Sequence, residues 1–120
     1  MISVLAVDDS PSMRDMVRIS LTSAGFAVTS AGDGEQALQL ARAGSFDLVL
    51  LDVNMPVMDG IQVIRELRAE PSYRHTPILM LTTESSQELK RQGKEAGATG
   101  WIVKPFDPAQ LIATMHRVLG

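Results

Sequence analysis

The chain has no cysteine. Disulfides, thiol nucleophiles and thiolate metal sites are therefore excluded. Absence of Cys is compatible with the cytoplasm, the location expected here. An excess of basic charge is also missing: Lys and Arg number 11 against 14 Asp and Glu, for a net charge of -3 and a pI near 5.2. Such a chain has no general electrostatic pull toward nucleic acid or anionic membrane. No apolar stretch approaches the ~20 residues that a bilayer-spanning helix needs. The opening segment MISVLAVDD has no basic region before its apolar run, and two acids cut that run short, so it is not expected to be a signal peptide. Internal repeats, low-complexity runs and linkers are absent as well. What remains is 120 residues, 45% hydrophobic and 21% charged. One domain over residues 1–120 is expected, burying roughly two-thirds of the surface its unfolded chain would expose.

Two kinds of segment alternate. Short apolar, β-branched runs cover Ile2–Val7, Phe26–Ser30, Leu48–Leu51, Ile78–Thr82 and Trp101–Val103. Longer stretches with helical spacing cover Pro11–Ala24, Glu35–Ala43, Gly60–Ala69, Ser86–Ala96 and Pro108–Leu119. Strand followed by helix, repeated along the chain, predicts an α/β fold: a doubly wound parallel sheet of five strands with five helices on its two faces. The central runs, Leu48 to Leu51 and Ile78 to Leu81, are apolar without alternation, as expected of strands buried on both sides.

Helix punctuation agrees. Ser10-Pro11 and Asp107-Pro108 read as an N-cap followed by proline at the first helical position. Asp33 with Gln36, Asp59 with Gln62 and Ser85 with Glu88 have capping-box spacing. Gly25, Gly44 and Gly97 fall just past helix ends, where a left-handed residue is wanted. The fourth helix is different. Leu89 is its only sizeable apolar residue, and Gly93 lies inside it at a cost of about 1 kcal/mol relative to alanine. It is expected to be weakly held and to belong to the mobile part of the domain.

Polar residues gather where the apolar runs end. Asp8 and Asp9 close the first, Asp52 the third, Thr82 and Thr83 the fourth, and Lys104 the fifth. In a parallel α/β sheet that edge is where ligands bind. Three neighbouring carboxylates repel one another unless a cation joins them. Asp oxygens suit Mg²⁺, which keeps several waters and works beside phosphate groups. Three formal negative charges are then cancelled by Lys104 and the dication. Such a site can accept a phosphoryl group, a transfer that depends on positioning and charge neutralisation, with a carboxylate as nucleophile. Asp8 and Asp9 are adjacent and suit the metal-holding pair. Asp52 stands alone at the centre of the sheet and is the expected nucleophile.

The segments VDDSPSMR, LLDVNMPVMDG, LMLTTE and GWIVKPF, in that order and spacing, resemble the receiver domain of two-component response regulators, over essentially the whole chain. The single-domain, chemotaxis-type CheY receivers are most similar. The resemblance, not the pattern above, supplies the flavodoxin-like strand order 2-1-3-4-5. It also implies roles. Asp52 is the phosphoacceptor. Asp9 and Asp52 bind Mg²⁺ directly, with the backbone carbonyl of Asn54, and Asp8 acts through a metal-bound water. Lys104 pairs with the phosphoryl oxygens and Thr82 hydrogen-bonds the phosphate. Thr83 occupies a position that controls access, Glu84 tunes access or dephosphorylation, and the Lys104-Pro105 bond is cis. Trp101 stands at the switch aromatic, where Tyr or Phe is usual, and is expected to turn inward as Thr82 moves toward the phosphate.

The implied partners are a histidine kinase as donor, a downstream protein such as a flagellar motor switch protein, and a phosphatase. Neither nucleic acid nor membrane is a partner, and a monomer is expected. The face built from the fourth helix, fifth strand and fifth helix would repack on phosphorylation. Lys90, Arg91 and Lys94 make that helix basic, which favours an acidic partner surface. Motor control, a phosphorelay step, a phosphate sink and control of another enzyme all remain open as outputs. A phosphatase with an Asp nucleophile would need a second acid two residues on, where this chain has Asn54. A flavin binder would need a hydroxyl- and Gly-rich loop in place of DDSPSM.

Overall fold

The computed structural model describes residues 1–52, 60–82, 87–104 and 106–120. Five strands alternate with five helices: β1 (Ser3–Val7), α1 (Pro11–Ser23), β2 (Ala27–Ala31), α2 (Gly34–Ala43), β3 (Leu48–Asp52), α3 (Gly60–Ala69), β4 (Ile78–Thr82), α4 (Gln87–Ala96), β5 (Gly100–Val103) and α5 (Pro108–Leu119). A short 3-10 turn, Pro71–Tyr73, follows α3 and had no counterpart in the sequence reading. All strand pairings are parallel, in the order β2-β1-β3-β4-β5.

The unbroken apolar runs are explained by two cores. Leu5, Val7, Val49, Leu51, Ile78 and Met80 pack against residues of α2, α3 and α4. Their neighbours Val4, Ala6, Leu48, Leu50, Leu79 and Leu81 pack on the other side, against α1 and α5. Successive strand residues point to opposite faces, so a strand covered on both sides needs an apolar residue at every position.

Caps set where helices begin. The Ser10 hydroxyl accepts the Met13 N–H at 3.3 Å. Asp33 accepts the Gln36 N–H at 2.8 Å, and the Gln36 side chain accepts the Gly32 N–H. Asp107 occupies the N-cap of α5 without a side-chain cap bond. Asp59 and Ser85 lie outside the described residues. Gly25 and Gly97 have the expected positive φ, 94° and 115°. Gly44 does not: its backbone is extended, with φ -136°. The reason is Tyr73, whose hydroxyl donates to the Ala41 carbonyl at 2.6 Å and reaches the Gly44 carbonyl at 3.2 Å. A terminal carbonyl of α2 is thus satisfied from outside, and no left-handed turn is required.

Arg68 and Gly93 both help to hold α4 and the segments around it. Arg68, at the end of α3, donates to the carbonyls of Tyr73, Thr76 and Gly97 at 2.6, 2.7 and 2.8 Å. Burial pulls its pKa below the usual arginine value. Gly93 is buried where α4 crosses β4. A Cβ there would lie 2.3 Å from Met80 Sδ. The glycine that weakens the isolated helix therefore lets it sit close to the sheet.

Gly93→Ala should destabilise the domain by about 1–3 kcal/mol, although alanine is the better helix former, because Met80 is fully buried and must repack. Urea denaturation measures it. The loss should shrink when Met80 is also shortened to Val.

Candidate functional site

Strand register builds the site. β1 and β3 are neighbours, and Val7 pairs with Leu51. The next residue on each is an aspartate, Asp8 and Asp52. β2 and β3 flank β1 on opposite sides, so these acids stand at the point where strand order reverses, the crevice that parallel α/β sheets use for ligands. On the far side of β3, Asp52 pairs with Leu81, and Thr82 is one residue on. Thr82 in turn pairs with Val103 of β5, just before Lys104. The Lys104 N–H donates to the Thr82 carbonyl at 2.7 Å.

Asp8, Asp52 and Thr82 are buried, at 3%, 1% and 1% exposure, whereas Asp9 is exposed. One carboxylate oxygen from each of Asp8, Asp9 and Asp52 lies within 4.8 Å of the others. Such an oxygen-only set could hold one hard cation together with waters. Lys104 Nζ sits 3.1 Å from Asp8 Oδ2 and 3.3 Å from Asp52 Oδ2. Burial alone would lower the Lys104 pKa. The hydrogen bond to Asp8 and the charges of Asp52 and Asp8 outweigh it, and the net shift is upward. The ammonium is therefore charged at neutral pH.

The acidic turn is pinned. Asp8 Oδ1 accepts the Ser10 N–H at 3.0 Å. The Asp8 N–H donates to the Ala31 carbonyl at 3.1 Å. Arg14, one turn into α1, donates Nη1 to the Asp8 carbonyl at 2.7 Å. The sequence reading did not single out Arg14. Its signal was placement six residues after Asp8 in a helix that starts at Pro11, which alone does not distinguish a clamp from a surface charge.

Of the residues expected at the site, Asp8, Asp9, Asp52 and Lys104 come together, and Thr82 ends the neighbouring strand. Asn54, Thr83, Glu84 and Pro105 lie outside the described residues. Trp101 is on the edge strand β5, 42% exposed, with Lys90 Nζ 4.8 Å from its ring centroid. The basic face of α4 is narrower than its composition suggests. Arg91 is engaged by Glu88 and by Glu95, the latter at 2.6 Å. No helix among the described residues is long and apolar enough to cross a membrane.

The family model of the response regulator receiver domain matches residues 4–116. The chain is 40% identical over 116 residues to chemotaxis protein CheY-3 of Vibrio cholerae, covering 96% of this chain and 89% of that one. Its fold matches the structure of chemotaxis protein CheY4 of the same organism with a TM-score of 0.96, at 52% identity and 98% coverage of both chains. The receiver domain of a sensor histidine kinase from Pseudomonas aeruginosa, with magnesium coordinated in its active-site cleft, matches with a TM-score of 0.92 at 34% identity, covering 99% of this chain and 98% of that one.

Lys104→Met leaves Asp8 and Asp52 facing each other without their ammonium. In chelator, urea denaturation should show a loss of about 2–3 kcal/mol, below the range for a fully enclosed pair because the site opens to solvent at Asp9.

Proposed function

This chain belongs to the response regulator receiver family, as a CheY-like member, and from that premise we propose that it is a phosphorylation switch with Asp52 as phosphoacceptor. The observation that carries the reading is the position of Asp52: buried at the end of the central strand, beside Lys104, and within reach of one cation shared with Asp8 and Asp9. Receiver domains are signalling domains, and this one is read as turning over no independent substrate.

Mg²⁺ fits the oxygen-only donor set, and when bound it supplies positive charge beside the oxygens of the transferred group. Asp9 and Asp52 would hold it, with the Asn54 carbonyl. Asp8 Oδ1 already accepts the Ser10 N–H, and Oδ2 is ion-paired with Lys104; a role for Asp8 through a metal-bound water is in keeping with the family pattern. In the transfer, an Asp52 carboxylate oxygen attacks the phosphorus of a phosphohistidine on a histidine kinase. The new P–O bond forms as the P–N bond breaks, and the donor histidine leaves. Acetyl phosphate can replace that donor, giving the same acyl phosphate with release of acetate. Water later cleaves the acyl phosphate, restoring Asp52 and releasing inorganic phosphate. Thr83 and Glu84 are read as tuning access for that step or for an external phosphatase.

The added dianion would draw on Lys104 and on the Thr82 hydroxyl. Movement of Thr82 gives Trp101 room to turn inward, and the α4-β5-α5 face repacks. Receivers sample both states, and the phosphoryl group shifts the balance. A groove of about 280 Å³ beside β5, lined by Trp101, Val103, Gln110, Thr114 and Arg117 among others, supports this face as the output surface. The downstream partner we favour is a flagellar motor switch protein, in keeping with chemotaxis relatives, met in the cytoplasm by a monomer. An acidic patch on that partner would meet Lys94 rather than the already paired Arg91.

Intact mass after incubation with Mg²⁺ and acetyl phosphate should show a gain of one phosphoryl group, absent with chelator and absent in Asp52→Asn. An equal gain in the Asn variant would move the acceptor elsewhere. Mg²⁺ at ten times its Kd should stabilise the wild type by about 1.4 kcal/mol. Asp52→Asn should lose most of that increment in thermal denaturation, yet be at least as stable in chelator, since it removes one of three clustered acids.

A further inference from the structure

Trp101 is the chain's single tryptophan, and although it stands on an exposed edge strand its ring is covered from one side. Lys90 Nζ lies 4.8 Å from the ring centroid. This follows from how α4 sits on the sheet. Gly93 brings the helix down onto Met80, and Met80 is the register partner of Trp101 across β4 and β5. Lys90 is three residues before Gly93, so it projects from the same side of the helix one turn earlier. Its half-buried stem carries the ammonium to the indole. The next residue, Arg91, is turned into Glu88 and Glu95. The helix thus commits one of its three cations to its own acids and another to the aromatic ring.

An ammonium over an indole face is attracted by the negative face of the ring system. The contact is made with the ring outward, and inward rotation of Trp101 would break it. We propose that Lys90 is a positioning residue for the switch: its ammonium holds Trp101 outward and so opposes activation. The proposal rests on the reading of this chain as a phosphorylation switch. Its size follows from the strength of a partly exposed cation–π contact, which changes the outward-to-inward ratio about two- to five-fold. The apparent affinity for an activating ligand is set by the fraction of competent protein, so it changes by the same factor.

The test is a beryllofluoride titration in the presence of Mg²⁺, followed by Trp101 emission. Wild type, Lys90→Met and Lys90→Arg are compared. The Met variant keeps the stem and loses the charge, whereas the Arg variant keeps a cation. Lys90→Met should reach its midpoint at a concentration about two- to five-fold lower, and Lys90→Arg should match the wild type. In a Trp101→Leu background, read by backbone amide shifts, Lys90→Met should change nothing, because there is no ring to hold. A general effect of helix charge would persist there. An unchanged midpoint in Lys90→Met, or the same shift in the Trp101→Leu background, overturns the proposal while leaving the switch intact. A wild type that does not respond to beryllofluoride overturns the phosphorylation reading, and this proposal falls with it.

Discussion

One ammonium between two buried carboxylates sets the terms for this domain. Lys104 reaches Asp8 and Asp52 from the end of β5, across β4, and with Asp9 the formal charge of the group is still negative. Carboxylates this close, taken from water, are tolerated only with positive charge at hand. The domain supplies one such charge itself. The remaining deficit is what makes the site receptive to a divalent cation. A phosphoryl group would reverse the balance, bringing negative charge to a place where Lys104 and Thr82 are the described groups able to answer it.

That constraint depends on parallel register. Asp8, Asp52, Thr82 and Lys104 end or follow strands whose preceding residues are matched across the sheet. A shift of one residue in any strand would turn its apolar set to the wrong face and carry its polar end residue away from the group. The two cores on either side of the sheet therefore fix the site as well as the fold. Around the acids, the Ser10 N–H, the Ala31 carbonyl and Arg14 each bind a part of Asp8 or its backbone. The turn is consequently held before any ligand arrives, and less ordering is left for binding to supply.

The output side is built differently. α4 carries few large apolar residues and is held by a close approach at Gly93, by Ala96, and by the Arg68 clamp on the Gly97 carbonyl that follows it. Gly97 serves twice: its positive φ ends the helix, and a side chain there would collide with Arg68. An element held by a few specific contacts, not by a broad apolar face, is suited to shift when one contact is exchanged for another. The Lys90–Trp101 pair is such a contact, and it joins α4 to the strand that borders the groove.

Much of this was legible in the chain. Apolar runs without alternation required strands buried on both faces, and the strand–helix alternation required a parallel sheet. Together these put Asp8, Asp9, Asp52, Thr82 and Lys104 on one edge, since residues that follow parallel strands share an edge whatever the strand order. The order itself came from resemblance, because local pattern carries no record of which strands are neighbours. Tertiary structure decided the rest. Gly44 is extended because the distant Tyr73 satisfies the α2 carbonyl. Gly93 is a packing residue because Met80 lies beneath it. Arg14 and Arg68 bind backbone carbonyls that no spacing in the sequence identifies. Lys90 meets Trp101 instead of solvent because α4 is drawn down onto β4. Periodicity and capping act between residues a few positions apart, and the chain states them directly. Clamps, close approaches and ring contacts join residues that only folding brings together.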